Sequence, residues 1–133
     1  MALNEEMVRT GRRFFDFLIH DCGFTFTSSS KCIRYDSADL YVEIWLGQGD
    51  NDFLIGLKKD TEKIRPGDTH LFSFQQLIRH FHKKPFPQRA QFPRPTGMSD
   101  EEHYLGYFSH WAQRYLLDLL KGDLSVLDDI ASR

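Results

Sequence analysis

The sequence predicts an α+β fold: an antiparallel sheet of about four strands packed against an N-terminal helix and a long C-terminal helix. Three observations carry this. Near both ends of the chain, apolar residues recur at spacings of three and four, the period of a helix with one buried stripe. Between residues 24 and 59 the period drops to two, as in half-buried strands. The polar turns between these runs are a few residues long, enough to join antiparallel neighbours but too short for a parallel crossover. The 133 residues suit a single domain, 1–133, which can bury about two thirds of its unfolded surface without disulfides or metal.

The first helix is expected over 4–22. Asn4 stands at the N-cap position, and Glu5 and Glu6 complement the positive end of the helix dipole. Met7, Val8, Gly11, Phe14, Phe15, Leu18, Ile19 and Cys22 make its stripe, and Gly23 follows where a positive φ would end it. Strands are then expected at 24–26, 32–36, 39–47 and 52–59. In the third, Leu40, Val42, Ile44 and Leu46 alternate with Tyr41, Glu43 and Trp45, so the aliphatic row should face the helices. SSSK, QGDN and RPGD supply turn chemistry.

Ser73 with Gln76, and Ser99 with Glu102, have the capping-box form, in which two side chains satisfy free N–H groups reciprocally. The first opens a short helix that Pro85 should stop, with Phe72 and Leu77 placed as a hydrophobic staple. The second opens a helix expected to run unbroken over about 100–121. Tyr104, Leu105, Phe108, Trp111, Ala112, Tyr115, Leu116, Leu119 and Leu120 line it, and Gly122 ends it. A last short helix is expected over 123–130, capped by Asp123.

Composition narrows function. The net charge is −2, so overall electrostatics favours neither nucleic acid nor a membrane surface. The distribution is uneven. Residues 36–60 hold Asp36, Asp39, Glu43, Asp50, Asp52 and Asp60 against Lys58 and Lys59, while residues 69–99 hold Arg79, Lys83, Lys84, Arg89 and Arg94 and no acid. No basic-then-apolar leader opens the chain, and Cys22 and Cys32 are read as reduced thiols, so a cytoplasmic location is expected.

No short catalytic signature is present: there is no Gly-x-Ser-x-Gly, P-loop, dinucleotide-binding glycine pattern or His-Glu-x-x-His. No catalytic residue, cofactor or metal is therefore assigned. His70, His80 and His82 lack the paired short spacing of a zinc site. DNDF at 50–53 begins like a calcium loop, but Ile55 and Thr61 stand where the loop needs glycine and glutamate. His103 and His110 share a helix face and read as a half-exposed flank. His20 and Cys22 crowd a helix end, but a Cys–His nucleophile needs side-chain contact, which the helix end does not provide.

Two places remain. The stretch HFHKKPFPQRAQFPRPTG, 80–97, combines basic residues with Phe86 and Phe92, as a single-strand nucleic-acid patch would. A rigid connector leading to the last long helix is the simpler reading, and the loop has two further uses: a contact with the acidic middle of the chain or of a second copy, and a cover for the sheet. The second place is the non-aliphatic sheet face. Tyr41, Glu43 and Trp45 lie there in a row, joined by Tyr35 from the neighbouring strand. Rings around a carboxylate suit a protein-contact surface.

The layout IRYDSADLYVEI, a polar turn, then FLIGL, resembles small bacterial α+β proteins. So do Gly23-Phe24 after the first helix and the Leu120-Lys121-Gly122-Asp123 turn after the long one. Some of these proteins resemble immunity proteins that neutralise polymorphic toxins. The resemblance implies a non-enzymatic protein-binding domain acting by occlusion of a partner protein, with the acidic middle meeting a basic surface. Two alternatives stand beside it. One is a homo-oligomeric structural or regulatory domain. The other is a ligand-binding domain or enzyme with a pocket between sheet and long helix, lined by His103, His110 or Glu43.

Overall fold

The computed structural model describes residues 5–28, 32–46, 51–58, 71–82, 91–125 and 127. Expectations for Asn4, for the turns at 29–31, 48–50 and 65–68, for Lys59 to Thr61, for His70, for Lys83 to Arg89 and for 128–130 lie outside these residues. The elements run α1 (Glu5–His20), β1 (Thr25–Ser28), β2 (Cys32–Asp36), β3 (Leu40–Trp45), β4 (Asp52–Leu57), β5 (Leu71–Ser73), α2 (Phe74–His82), α3 (Asp100–Tyr115) and α4 (Leu117–Leu120). The fold is α+β. The sheet is a meander in the order β1-β2-β3-β4-β5, with every neighbouring pair antiparallel.

The fifth strand goes beyond the expected four. Residues 71–73 read as the approach to a helix, yet they pair with β4, Phe72 lying opposite Ile55. Ser73 does two jobs. It ends β5 and it caps α2: Gln76 N–H donates to Ser73 Oγ at 3.3 Å, and Ser73 N–H donates to Gln76 Oε1 at 2.9 Å. The second capping box is half realised. Glu102 N–H donates to Ser99 Oγ at 3.1 Å, while the Glu102 carboxylate lies 3.9 Å from Arg13 of α1.

The aliphatic row of β3 is buried as expected, with Leu40, Val42, Ile44 and Leu46 on the inner face. Ile33 and Tyr35 of β2, Phe53, Ile55 and Leu57 of β4, and Phe72 of β5 share that face through the register. The helices meet the sheet there. The Phe53 ring lies within 6.0 Å of Phe15 from α1, Phe74 from α2 and Phe108 from α3, centroid to centroid. One phenylalanine thus meets α1, α2 and α3. Such ring pairs add roughly 0.5–1.5 kcal/mol each beyond the area they bury.

Helices α1 and α3 pack side by side. The Ser109 hydroxyl of α3 donates to the Phe14 carbonyl of α1 at 2.7 Å and accepts from Gln113 Nε2 at 3.0 Å. This bond falls at a kink, where Phe15 leaves helical geometry (φ −114°, ψ 15°). A side chain inserted at the backbone ladder is a recognised cause of kinking.

The long C-terminal helix is not continuous. Leu116 has φ −109° and ψ 2° and separates α3 from α4, although its N–H still donates to the Ala112 carbonyl. The bend keeps Leu116, Leu119 and Leu120 buried. Gly122 (φ 120°) then closes the segment: its N–H bonds the Leu119 carbonyl, and Asp123 N–H bonds the Asp118 carbonyl. This reciprocal pair requires a left-handed residue and favours glycine. Gly23 ends α1 with φ 76°. Asp123 accepts from the Ser125 N–H and hydroxyl, the geometry of a cap.

Candidate functional site

The alternation that buries the aliphatic row of β3 turns Tyr41, Glu43 and Trp45 to the outer face of the sheet, where all three are half-buried. The register places Asp36 and Gly56 beside Tyr41, Arg34 and Leu54 beside Glu43, and Cys32 and Asp52 beside Trp45. Leu71 of β5 follows Gly56 in the same row and is 42% exposed.

Tyr35 does not join this face. It pairs with Val42, so both point inward; it is 0% exposed and its ring meets Phe26 at 5.5 Å. Its hydroxyl is buried without a hydrogen-bond partner among the described residues, and burial pushes its pKa up to about 12. The assignment of Tyr35 to a contact surface is corrected on this ground. Arg34 and Asp36, its neighbours in sequence, take the outer face instead.

Arg34 organises the outer face. Its guanidinium donates to both Asp36 oxygens at 3.1–3.2 Å and to Glu43 Oε2 at 3.1 Å. It also lies 4.2 Å from the centre of the Tyr41 ring. The bonds to Asp36, and then the nearby charges of Asp36 and Glu43, raise the Arg34 pKa above its ordinary value. Trp45 Nε1 donates to Glu43 Oε1 at 3.4 Å, and Lys58 Nζ is 3.6 Å from Asp36. Beneath Tyr41 lies Gly56, where a Cβ would run into the ring. Glycine there lets the ring lie against the sheet with the guanidinium against it. Among the described residues, the side-chain bonds, ion pairs and ring contacts of Arg34, Asp36, Tyr41, Glu43 and Trp45 run to one another and to Lys58, not to a helix.

The charge on this face differs from what the linear sequence implies. Counted along 36–60 the segment is acidic, but pairing brings Arg34 onto it. Arg34 and Lys58 then stand against Asp36, Glu43 and Asp52. Asp36 and Glu43 are neutralised locally. Asp52 is not: its one oxygen bond is to its neighbour, Phe53 N–H donating at 2.8 Å, and no described cation pairs with it.

The segment 91–98 lies along α3. Phe92 contacts the rings of His103, Tyr107 and His110 at 5.8, 5.7 and 5.4 Å, and its carbonyl is 2.9 Å from His103 Nε2. His103 is therefore a buried strap contact, 2% exposed, while His110 is exposed. The expected half-exposed flank holds for His110 alone. Arg94 is used close by, bonding the Met98 carbonyl and pairing with Asp100 at 3.2 Å.

A cleft of about 420 Å³ opens at the end of the sheet. Asn51 and Asp52, then Ser73, Phe74 and Gln75, and Tyr104, Tyr107 and Phe108 line it. It lies between sheet and α3 as the pocket reading expected, but His103, His110 and Glu43 are not in its lining. Tyr107 is nearly buried, and burial pushes its pKa up to about 12.

Neither cysteine is in a disulfide; Cys32 is buried and Cys22 half-buried. Burial raises the Cys22 pKa, which disfavours a thiolate nucleophile. Among the described residues no three His, Cys, Asp or Glu side chains come together as a metal site would need, and no helix is long and apolar enough to cross a membrane. Comparison of the chain with protein-family models, curated proteins and solved structures finds no match.

Proposed function

We propose that this chain is a non-enzymatic protein-binding domain of the immunity-protein type. It acts by covering a functional surface of a partner protein with the outer face of its sheet. The observation that carries the reading is the composition of that face. Tyr41 and Trp45 stand with Leu54 and the exposed Leu71 around an ion-pair network satisfied within the face itself.

Two physical arguments support it. Tyr and Trp bury much area while losing few rotatable bonds, which is why they concentrate binding energy in interfaces. A charge pair already bonded within the surface can be covered without leaving a lone buried charge, the costly outcome when one partner is missing. Arg34 also fixes the Tyr41 ring before any partner arrives, and such preorganisation lowers the entropy cost of association.

The test is site-specific photo-cross-linking in the native host. A photoreactive phenylalanine analogue is placed at Trp45, and at the exposed Gln113 of α3 as control. A discrete heterologous adduct at position 45 and none at 113 is the expected result. An adduct only with a second copy would favour the oligomeric alternative. No adduct at 45 would remove the outer face from consideration.

A further inference from the structure

We propose that the cleft at the end of the sheet receives an arginine side chain of the partner protein, with Asp52 as its ion-pairing group. The inference rests on the outer-face reading and names the chemistry of one contact within it.

Asp52 belongs to two surfaces at once. It lies directly opposite Trp45 across β3 and β4, so it borders the proposed docking face. It also lines the cleft. It is exposed, and one oxygen is held by its own neighbour's N–H. No described cation meets it, although the other two outer-face carboxylates have Arg34 or Lys58 within 3.6 Å. Among the described residues it is also the only charged one in the cleft lining.

The opposite wall is aromatic. Tyr104, Tyr107, Phe108 and Phe74 are a connected group of rings, with centroids 5.0–5.9 Å apart along the chain of contacts. Tyr104 is the half-exposed member. A carboxylate on one side and ring faces on the other select a flat cation, since a guanidinium both stacks on a ring and presents a fork of donors to a carboxylate. Asn51, Ser73 and Gln75 supply neutral polar groups around the rim. The positive end of α2 on the same side is occupied by its own cap, with Ser73 and Gln76 bonded reciprocally. The volume exceeds that of one side chain, so neighbouring partner residues also have room in the cleft.

The experiment is an NMR titration of the intact protein with three probes: acetyl-arginine-amide, the acetyl amide of citrulline, and acetyl-lysine-amide. Citrulline keeps the shape and removes the charge. The arginine probe should shift and saturate the amide signals of Asp52, Gln75, Tyr104 and Tyr107, and bind at least about tenfold more tightly than the citrulline probe, the usual ratio for one charge-assisted bond. The lysine probe should fall between them. Asp52→Asn should erase the arginine preference, and Tyr104→Leu should weaken the arginine probe more than the lysine probe. The first substitution retains an acceptor for Phe53 N–H, and circular dichroism checks that both variants fold.

Equal affinity for arginine and citrulline probes, shifts elsewhere on the molecule, or an Asp52→Asn variant that keeps its preference would each overturn the proposal. Its failure is separable from that of the docking face. If the probe does not bind but position 45 still cross-links a partner, only the arginine contact falls. A saturating probe without a cross-link would leave the cleft as a site for a small guanidinium compound and overturn the partner assignment.

Discussion

Tyr35→Phe should stabilise the protein, an unusual direction for a change in the middle of a core strand. The ring is fully buried and packs on Phe26, and phenylalanine keeps that contact. What it removes is a hydroxyl buried with no partner among the described residues. Leaving such a group unsatisfied costs about 1–3 kcal/mol of desolvation, so removal should add about 1 kcal/mol at neutral pH.

Alkaline pH makes the test sharper. Burial raises the folded-state pKa of Tyr35 to about 12, against about 10 in the unfolded chain. The unfolded state therefore releases its proton first. The stability contributed by this group is complete below about pH 10 and is lost as pH rises towards 12. At pH 11 the loss is about 1.4 kcal/mol for each tyrosine so shifted. Tyr107, also at about 12 through burial, contributes equally in both proteins and cancels from their difference. Urea unfolding at pH 8 and pH 11, followed by circular dichroism, should show the variant ahead by about 1 kcal/mol at the lower pH. The gap should widen by about 1.4 kcal/mol at the higher pH. A variant less stable than the parent by 1 kcal/mol or more would mean that the hydroxyl is bonded. An unchanged gap would mean that the ring is solvated. The first result would refute the unpartnered hydroxyl, and the second the placement of Tyr35 on the inner face.

Further predictions concern the joints of the structure. Ser109→Ala removes the donor to the Phe14 carbonyl and should cost about 1–2 kcal/mol in urea unfolding. Ser99→Ala removes the α3 cap and should cost about 1 kcal/mol. Arg34→Ala should cost about 1–2 kcal/mol from two half-exposed ion pairs and the Tyr41 contact, with the ion-pair part shrinking at high salt.

Much of the fold was legible because local chemistry and global packing agree. The β3 alternation is strict over seven residues, so its faces follow directly. Both serine caps and the glycine at 122 are local devices whose partners lie within four or five residues; each serine caps its helix as read, although only the Ser73–Gln76 box is reciprocal. Strand β5 was not legible, because three residues carry too little periodicity to compete with the capping signal that begins at the same serine. The break at Leu116 was hidden for the opposite reason: the apolar stripe continues through it.

The candidate site was legible only in part. Tyr41, Glu43 and Trp45 share the predicted outer face. Residue type groups Tyr35 with them; parity does not. The alternation Ile33, Arg34, Tyr35, Asp36 already sets Tyr35 opposite the two charges. Arg34 is hidden in the sequence because cross-strand register, not sequence proximity, brings it to Glu43. The acidic count over 36–60 leaves out Arg34 for the same reason, and with Arg34 added the segment is still acidic. The cleft joins residues 51–52, 73–75 and 104–108, which only the folded chain brings together.

The central claim is that the outer face serves a partner and not the interior. The affinity of Trp45→Ala for the cross-linked partner, set beside its unfolding free energy, tests this most directly. Binding should weaken by about 2 kcal/mol or more, roughly thirtyfold, as for a central interface aromatic. Unfolding should change by no more than about 1 kcal/mol, since the half-buried indole makes one long bond to Glu43. Unchanged affinity together with a loss of about 3 kcal/mol in stability, the cost of a core aromatic, would place Trp45 in the interior and contradict the account.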